Sequence, residues 1–439
     1  MAELRTGENK ARGLHVLAFY APLTLALAAC LLLFHRIPDN YDHPYCAENW
    51  SPNHYITIVL NCDSPEYLRL AREPQDLLQP TTNRQSRPGL VLLAALLLRV
   101  VPSSYALSGW LAKLAGHPLD AFTLDLFSTY IPYLILNFAF VALSVGLYSG
   151  LTSYRRSGSI AVLVVGCLLL FNDVVKAFLF SPSTALLAIL APLFALWAHR
   201  QVRRGRLDNW WRMGLMALLT GLAITTYALF MVVVPMIWLG QWQRSRESDI
   251  QSRKGKMALR VLVTGILSML PAAGWYAWVR LNTGQFFFSE MAVYSEVTWL
   301  WTGLGSEPIG ALIHLLMNVV GLAVLAGRQA LPALVLGLFA VALGPRRHAG
   351  DLKTNLGEVT PAAALAVSGL CLIFFAVAGF TVDRRAFSAV PPVIVLVGML
   401  VGQVSNAVGR NRRWAITIGA GAVVAAQALL LLSKVGPFS

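Results

Sequence analysis

Asp63, Glu66 and Tyr67 bring two carboxylates and a phenol into one short run, Asp63-Ser64-Pro65-Glu66-Tyr67. A carboxylate in such a place can accept a proton from a hydroxyl nucleophile, and an acid one helical turn on can position the acceptor or help bind a metal. The run reads as a helix start, with Asp63 as N-cap, Pro65 early in the first turn, and Leu68 and Leu70 following before Arg72. An aspartate that only caps a juxtamembrane helix would look the same. Here the cap also ends a polar loop at the mouth of an apolar region, where ionisable groups are costly and tend to be used.

The candidate cations lie far from this run in sequence. Thr381-Val382-Asp383-Arg384-Arg385-Ala386-Phe387 holds an arginine pair just before an apolar stretch through Pro391 and Pro392, and such a pair suits bidentate binding of a phosphate. An Asp383 to Arg384 ion pair with a lipid headgroup contact is the plainer alternative. Arg84 and Arg87, in Arg84-Gln85-Ser86-Arg87-Pro88-Gly89, suit the same chemistry or a simple contact with headgroups. Lys176 stands with Asp173 beside an apolar turn. Cys46 and Cys62 share the loop before Asp63, and a disulfide there would remove roughly 3 kcal/mol of entropy from the unfolded loop. Metal binding competes, since His43, His54 and Asp63 are near, but the spacing follows no strong zinc pattern. The aromatics Phe286, Phe287, Phe288, Tyr294, Trp299 and Trp301 suit an interface belt or a stacking surface for a sugar or lipid. His314, alone on an apolar segment, reads as packing.

The elements that must hold these residues are membrane helices. The 439 residues are 56% hydrophobic and 13% charged, with a mean hydropathy of +0.61. Apolar runs approach the length that crosses about 30 Å of hydrocarbon. The formal charge of +14 would suit nucleic acid, but the Lys and Arg fall in short clusters between apolar runs, where orientation signals sit. No nucleic-acid partner is therefore expected. The first apolar run is too long for a signal-peptide core and no small-residue cleavage site follows, so it is expected to stay as a span. Cys30, Cys167 and Cys371 fall inside apolar runs and behave as small hydrophobes.

Basic clusters occur at Arg5 to Arg12, Arg155 and Arg156, His199 to Arg212, Arg244 to Arg260, Arg346 to Lys353, and Arg410 to Arg413. Placing all six on the cytoplasmic side gives about eleven crossings. They are drawn at 15–35, 126–151, 159–172, 181–199, 213–225, 228–240, 260–280, 329–344, 361–380, 389–409 and 414–433. The N-terminus is then inside and the C-terminus outside. Segments 89–102 and 309–326 would break this pattern as crossings and are expected to lie at the outer interface. The 213–240 pair is short, with a tight turn expected near Thr225, Thr226 and Tyr227. The fold class is thus all-α and polytopic, one membrane domain over 1–439 whose external loop 36–125 carries the candidate active site. The other external parts are Asn172 to Phe180, Leu281 to Gly327 and Thr381 to Ser388.

Taken in order, these features resemble the GT-C superfamily of membrane glycosyltransferases, which use lipid-phosphate sugars. The resemblance rests on four stretches. They are the acidic Asp63-Ser-Pro-Glu-Tyr67-Leu helix after the first span, the Arg87-Pro88-Gly89-Leu-Val-Leu-Leu start of a short helix, Leu270-Pro271 through Trp275 and Arg280 to Gly284, and Asp383-Arg384-Arg385 through Pro391-Pro392. It implies an acidic catalytic residue in the first external loop, which Asp63 matches by position, with Glu66 and Tyr67 as acceptor-binding or supporting groups. It also implies a polyprenyl-phosphate sugar donor whose phosphate is held by basic residues, here Arg384, Arg385, Lys176 and Arg87. The partners expected are that donor, a glycan or lipid acceptor, and membrane lipids. No cofactor is implied with certainty, and a divalent metal is compatible with the acids. Many relatives carry Arg-Pro in the fifth-to-sixth span pair where this chain has Thr226-Tyr227. Nothing in the sequence reads as the large soluble C-terminal domain that some relatives use to hold a polymer acceptor. An oxidising external face and polyprenyl chemistry fit a bacterial plasma membrane, or else an endoplasmic reticulum. A lipid or polyprenyl-phosphate transporter and a scaffold subunit of an envelope-building complex are the competing readings. The transporter reading expects internal repeats, discontinuous spans and ionisable groups at midplane.

Overall fold

The computed structural model describes residues 2–34, 36, 48–50, 58–61, 63–80, 82–100, 121–152, 154, 159–246, 253–285, 297–344, 359–379 and 381–436. Cys46, Cys62, His43 and His54, the aromatic run 286–294, and the basic clusters at 155–156 and 346–353 lie outside them. Among the described residues six helices are long and apolar enough to cross a bilayer, within Gly13–Phe34, Ser128–Leu151, Met257–Thr283, Pro308–Leu343, Asp383–Ala407 and Arg410–Ser433. The chain is a helical bundle of membrane-protein type.

The order is α1 (Ala2–Phe34), a two-stranded ribbon, α2 (Ser64–Arg72), a 3-10 turn (Pro74–Leu78), α3 (Pro88–Val100), α4 (Ala121–Leu151), α5 (Ile160–Gly166), α6 (Asp173–Phe178) and α7 (Leu187–Arg203). There follow α8 (Trp210–Thr226), a 3-10 turn (Ala228–Val232), α9 (Val233–Arg246), α10 (Arg253–Thr283), α11 (Thr298–Ser306) and α12 (Pro308–Leu343). The chain closes with α13 (Pro361–Val377), α14 (Asp383–Ala386), α15 (Val390–Ala407) and α16 (Arg410–Ser433). The ribbon is a small addition to a helical fold: β1 (Glu48–Trp50) and β2 (Ile58–Leu60) pair antiparallel with Asn49 opposite Val59. Its Trp, Ile and Val favour extended backbone.

The helices approach closely where small residues allow it. A Cβ on Gly166 of α5 would sit 2.6 and 2.9 Å from the Tyr148 ring, and one on Gly398 of α15 would sit 2.9 Å from Tyr148 Cζ. The buried phenols are satisfied by backbone. Tyr20 donates to Leu163 O at 2.8 Å and Tyr148 to Val162 O at 2.8 Å, so α1 and α4 are both tied to α5.

The expected short pair is present. α8 ends at Thr226, Tyr227 is extended, and the chain returns through a 3-10 turn into α9. Thr225 and Thr226 both donate their hydroxyls back to Leu222 O, as Thr220 does to Met216 O one turn earlier. The return is fixed at the far end, where Asp208 before α8 meets Arg244 at the end of α9 and takes Arg260 Nη2 on its carbonyl at 2.7 Å. The clusters around 199–212 and 244–260 therefore share one end of the bundle. Arg412 reaches Leu343 O at 3.5 Å at the foot of α12.

One expectation is corrected. Segments 309–326 and 329–344 are a single 36-residue helix, α12, rather than an interfacial helix followed by a span. At 1.5 Å per residue it rises about 54 Å, well beyond the hydrocarbon thickness. Arg328 and Gln329, read in sequence as a boundary, stay helical because Asp383 satisfies them: Arg328 Nη2 lies 3.0 Å and Gln329 Nε2 3.2 Å from Asp383 Oδ1.

At the other end of the bundle, Gly89 lets α3 abut the end of α8. A Cβ there would lie 2.9 Å from both the backbone N and Cα of Thr226. Gly89→Ala is expected to cost about 1–3 kcal/mol by forcing the two helices apart. The check is the melting temperature of the detergent-solubilised protein, and an unchanged value would mean that the two backbones do not meet.

Candidate active site

Asp63 occupies the N-cap position of α2, but its side chain does not cap. Asn61 does the local work instead. Its Oδ1 accepts from Asp63 N and from Ser64 Oγ, each at 3.0 Å. The Asp63 carboxylate is thereby left for a longer-range partner, and that partner is Arg84, whose Nη2 bonds Asp63 Oδ1.

Arg84 is not the headgroup contact that sequence allowed. Its side chain is 8% exposed while that of Asp63 is 43% exposed, so the arginine is a buried support and the acid is open to a reactant. The guanidinium lies 5.0 Å from the centroid of the Tyr67 ring. Tyr67 is buried, stands edge-on to Tyr133 with centroids 5.9 Å apart, and accepts Tyr133 OH on its carbonyl at 2.6 Å. Tyr67 therefore supports the site from within.

Glu66 faces elsewhere. Arg69 grips it at 3.0 and 3.1 Å and also reaches Asp76 in the following 3-10 turn. The two acids of the motif thus have different partners. Among the described residues no three His, Cys, Asp or Glu side chains group closely enough to hold a metal ion.

The loop from 79 to 87 is pinned at several points. Gln85 donates to Leu77 O at 2.8 Å, Thr82 to Asp76 O at 2.9 Å, and Trp275 of α10 donates to Gln85 O at 2.8 Å. A tight turn follows, with Arg87 N on Arg84 O at 2.8 Å. Arg84 has φ +66, and no other described non-glycine residue has positive φ. Arg84 bonds Asp63 from this turn, and Arg87 lies within electrostatic range of Tyr227.

Tyr227 is the group that the candidate arginines have in common. Arg385, Arg384 and Arg87 all lie within electrostatic range of its phenol, although they come from two segments remote from each other in sequence. Asp383 does not pair with Arg384 as the plainer sequence alternative had it, since Arg328 and Gln329 take its carboxylate. Arg384 sits 5.9 Å from the Phe178 centroid and Arg385 5.6 Å from that of Phe375. All three arginines are half-buried, a setting in which charge is less screened than at an open surface.

Phe178 ends α6, which holds Lys176. That lysine is buried, and its Nζ donates to Lys434 O at 3.0 Å, while Lys434 Nζ pairs with Asp173 at 3.2 Å. Gly436 N completes the clasp on Arg36 O at 2.8 Å. Lys176 thus fastens the chain after α16 rather than joining the arginines in a direct contact. The loop after α6 is anchored to the acidic side: Asn137 donates to Phe178 O, Leu179 O and Ser181 O at 3.0–3.1 Å, and Ser181 Oγ lies 3.2 Å from Ser64 Oγ. Sequence reasoning missed Tyr227 as a meeting point, though the helix break there was legible. His314 packs on Trp299, with centroids 4.6 Å apart, and Trp299 donates to Val377 O.

No family model matches the sequence, and neither a curated protein nor a solved structure shows significant similarity to it.

Burial pulls Lys176, which lies outside the membrane-crossing helices, down from 10.5 to about 8; Lys434 pushes the same way and Asp173 opposes. Between those values the unfolded chain binds more protons than the fold, so stability from this group rises as pH climbs from about 8 towards 10.5. Melting temperature against pH in wild type and Lys176→Met checks this. The variant should lack the upward increment, and identical profiles would contradict it.

Proposed function

We propose that the chain is a membrane glycosyltransferase of GT-C type, moving one sugar from a polyprenyl-phosphate donor to a hydroxyl acceptor. The observation that carries this is the 84–87 turn, which links an open carboxylate to the basic side of the site: Arg84 holds Asp63, and Arg87, like Arg384 and Arg385, lies within electrostatic range of Tyr227. Base and anion site are the two halves that such a transfer needs.

In this reading Asp63 accepts the proton of the acceptor hydroxyl as its oxygen bonds the anomeric carbon. The bond from that carbon to the phosphate oxygen breaks, and the electron pair leaves with the lipid phosphate. Arg87, Arg384 and Arg385 stabilise the charge that develops there. Direct displacement inverts the anomeric configuration. Lys176 contributes from behind, by fixing α6 beneath Arg384.

The proposed setting has about eleven crossings, counting shorter helices such as Pro361–Val377 with the six long ones. The arginine-rich end around Asp208 is then cytoplasmic, with the N-terminus on the same side, and the Asp63 end faces outward from a bacterial plasma membrane. The break at Tyr227 favours the alternative of an anionic-lipid transporter, which would use a discontinuous helix to grip a headgroup.

Purified protein assayed with radiolabelled polyprenyl-phosphate sugars separates the two. Asp63→Asn is expected to lose transfer by at least about 10²-fold with donor binding retained, in line with loss of a general base. Arg384→Ala is expected to raise the donor KM. Transfer at the wild-type rate by Asp63→Asn would defeat the assignment, and lipid binding without transfer from any donor would favour transport.

A further inference from the structure

An arginine in the left-handed region is unusual, because a side chain there meets its own backbone and glycine or asparagine fits better. Arg84 holds that conformation at φ +66. Such strain persists where surrounding contacts over-determine it. Among the contacts that hold its side chain are Asp63 Oδ1 on one side and the Tyr67 ring on the other. Tyr67 is itself held by Tyr133 from α4. A chain of fixed groups therefore runs from the core of the bundle to one oxygen of the exposed acid. Among the described residues Asp63 Oδ2 has no partner, and the side chain caps nothing.

We infer that Arg84 is the positioning residue for the base: it fixes Asp63 through Oδ1 and leaves Oδ2 as the atom that takes the acceptor's proton. The inference rests on the glycosyltransferase reading. Arg84 keeps its own protons throughout. The proton moves from the acceptor oxygen to Oδ2 as the new glycosidic bond forms, and passes to water after product leaves. A support of this kind acts on geometry at the reacting atoms, so its removal lowers kcat and leaves donor affinity in place.

Arg84→Gly is the informative variant, because glycine adopts this backbone without strain and keeps the turn. It should stay monodisperse, show a donor KM close to that of wild type, and lose roughly 10- to 100-fold in kcat. Arg84→Lys should recover part of that loss by restoring a charge opposite Oδ1. In an Asp63→Asn background Arg84→Gly should cost nothing more, since the group it positions is already gone. Should the glycine variant fail to fold, Arg84→Asn tolerates the same backbone and carries the same comparison. Wild-type kcat in Arg84→Gly while Asp63→Asn is inactive overturns the inference alone, as does a raised donor KM with kcat unchanged. Transfer that survives Asp63→Asn overturns the reading beneath it, so the two failures are told apart.

Discussion

The tight turn from Arg84 to Arg87 is the constraint on which the candidate site depends. Its first residue is buried and paired with Asp63, and its last stands in the cluster at Tyr227. Were the turn to open, the carboxylate and the arginines would lose their common frame. Holding a non-glycine residue left-handed costs roughly 1–2 kcal/mol. The Asp63 pair, the Tyr67 ring, Gln85 and Trp275 together offset it. Strain stored at such a point, and satisfied by several neighbours, is what keeps a loop in one geometry.

The rest of the bundle answers a second demand, that polar groups inside an apolar assembly find partners without water. The solution used repeatedly is a side chain on a long helix capturing the carbonyls of a short one. Asn137 does this for Phe178 O at the end of α6 and for two carbonyls just after it, Tyr130 for Phe180 O and Tyr133 for Tyr67 O. These bonds all come from α4, so a single long helix holds the acidic helix and the α6 loop in register. Basic residues divide between two ends with different partners. Around Asp208 they meet an acid and carbonyls, as topology signals can. Around Tyr227 they converge on a phenol in a half-buried setting, which leaves a concentration of positive charge suited to an anion.

Much of the helical framework was legible from hydropathy, because a long apolar run has few alternatives to a helix. The break at Thr225 to Tyr227 was legible as well, and Tyr227 takes extended backbone there. Asp63 could be singled out from its place after a polar loop. Its partner could not, since a left-handed arginine leaves no mark in the sequence and the pair closes across a long loop. Asp63 takes the N-cap position as read, but Asn61 supplies the side-chain acceptor beside it, which the sequence alone does not say. The break drawn between 309–326 and 329–344, made to keep the basic clusters on one side, is absent because α12 runs through it and Asp383 pairs with Arg328 and Gln329 from another segment. The meeting of Arg87, Arg384 and Arg385 is a consequence of packing alone.

The most direct test of this account is to locate a bound lipid phosphate. A polyprenyl phosphate bearing a photoreactive group beside its phosphate, cross-linked to purified protein and mapped by mass spectrometry, reports where the headgroup rests. The account predicts adducts within residues 84–89, 226–228 and 383–388, competed away by unlabelled polyprenyl phosphate. Adducts confined to the Asp208, Arg244 and Arg260 end would contradict it.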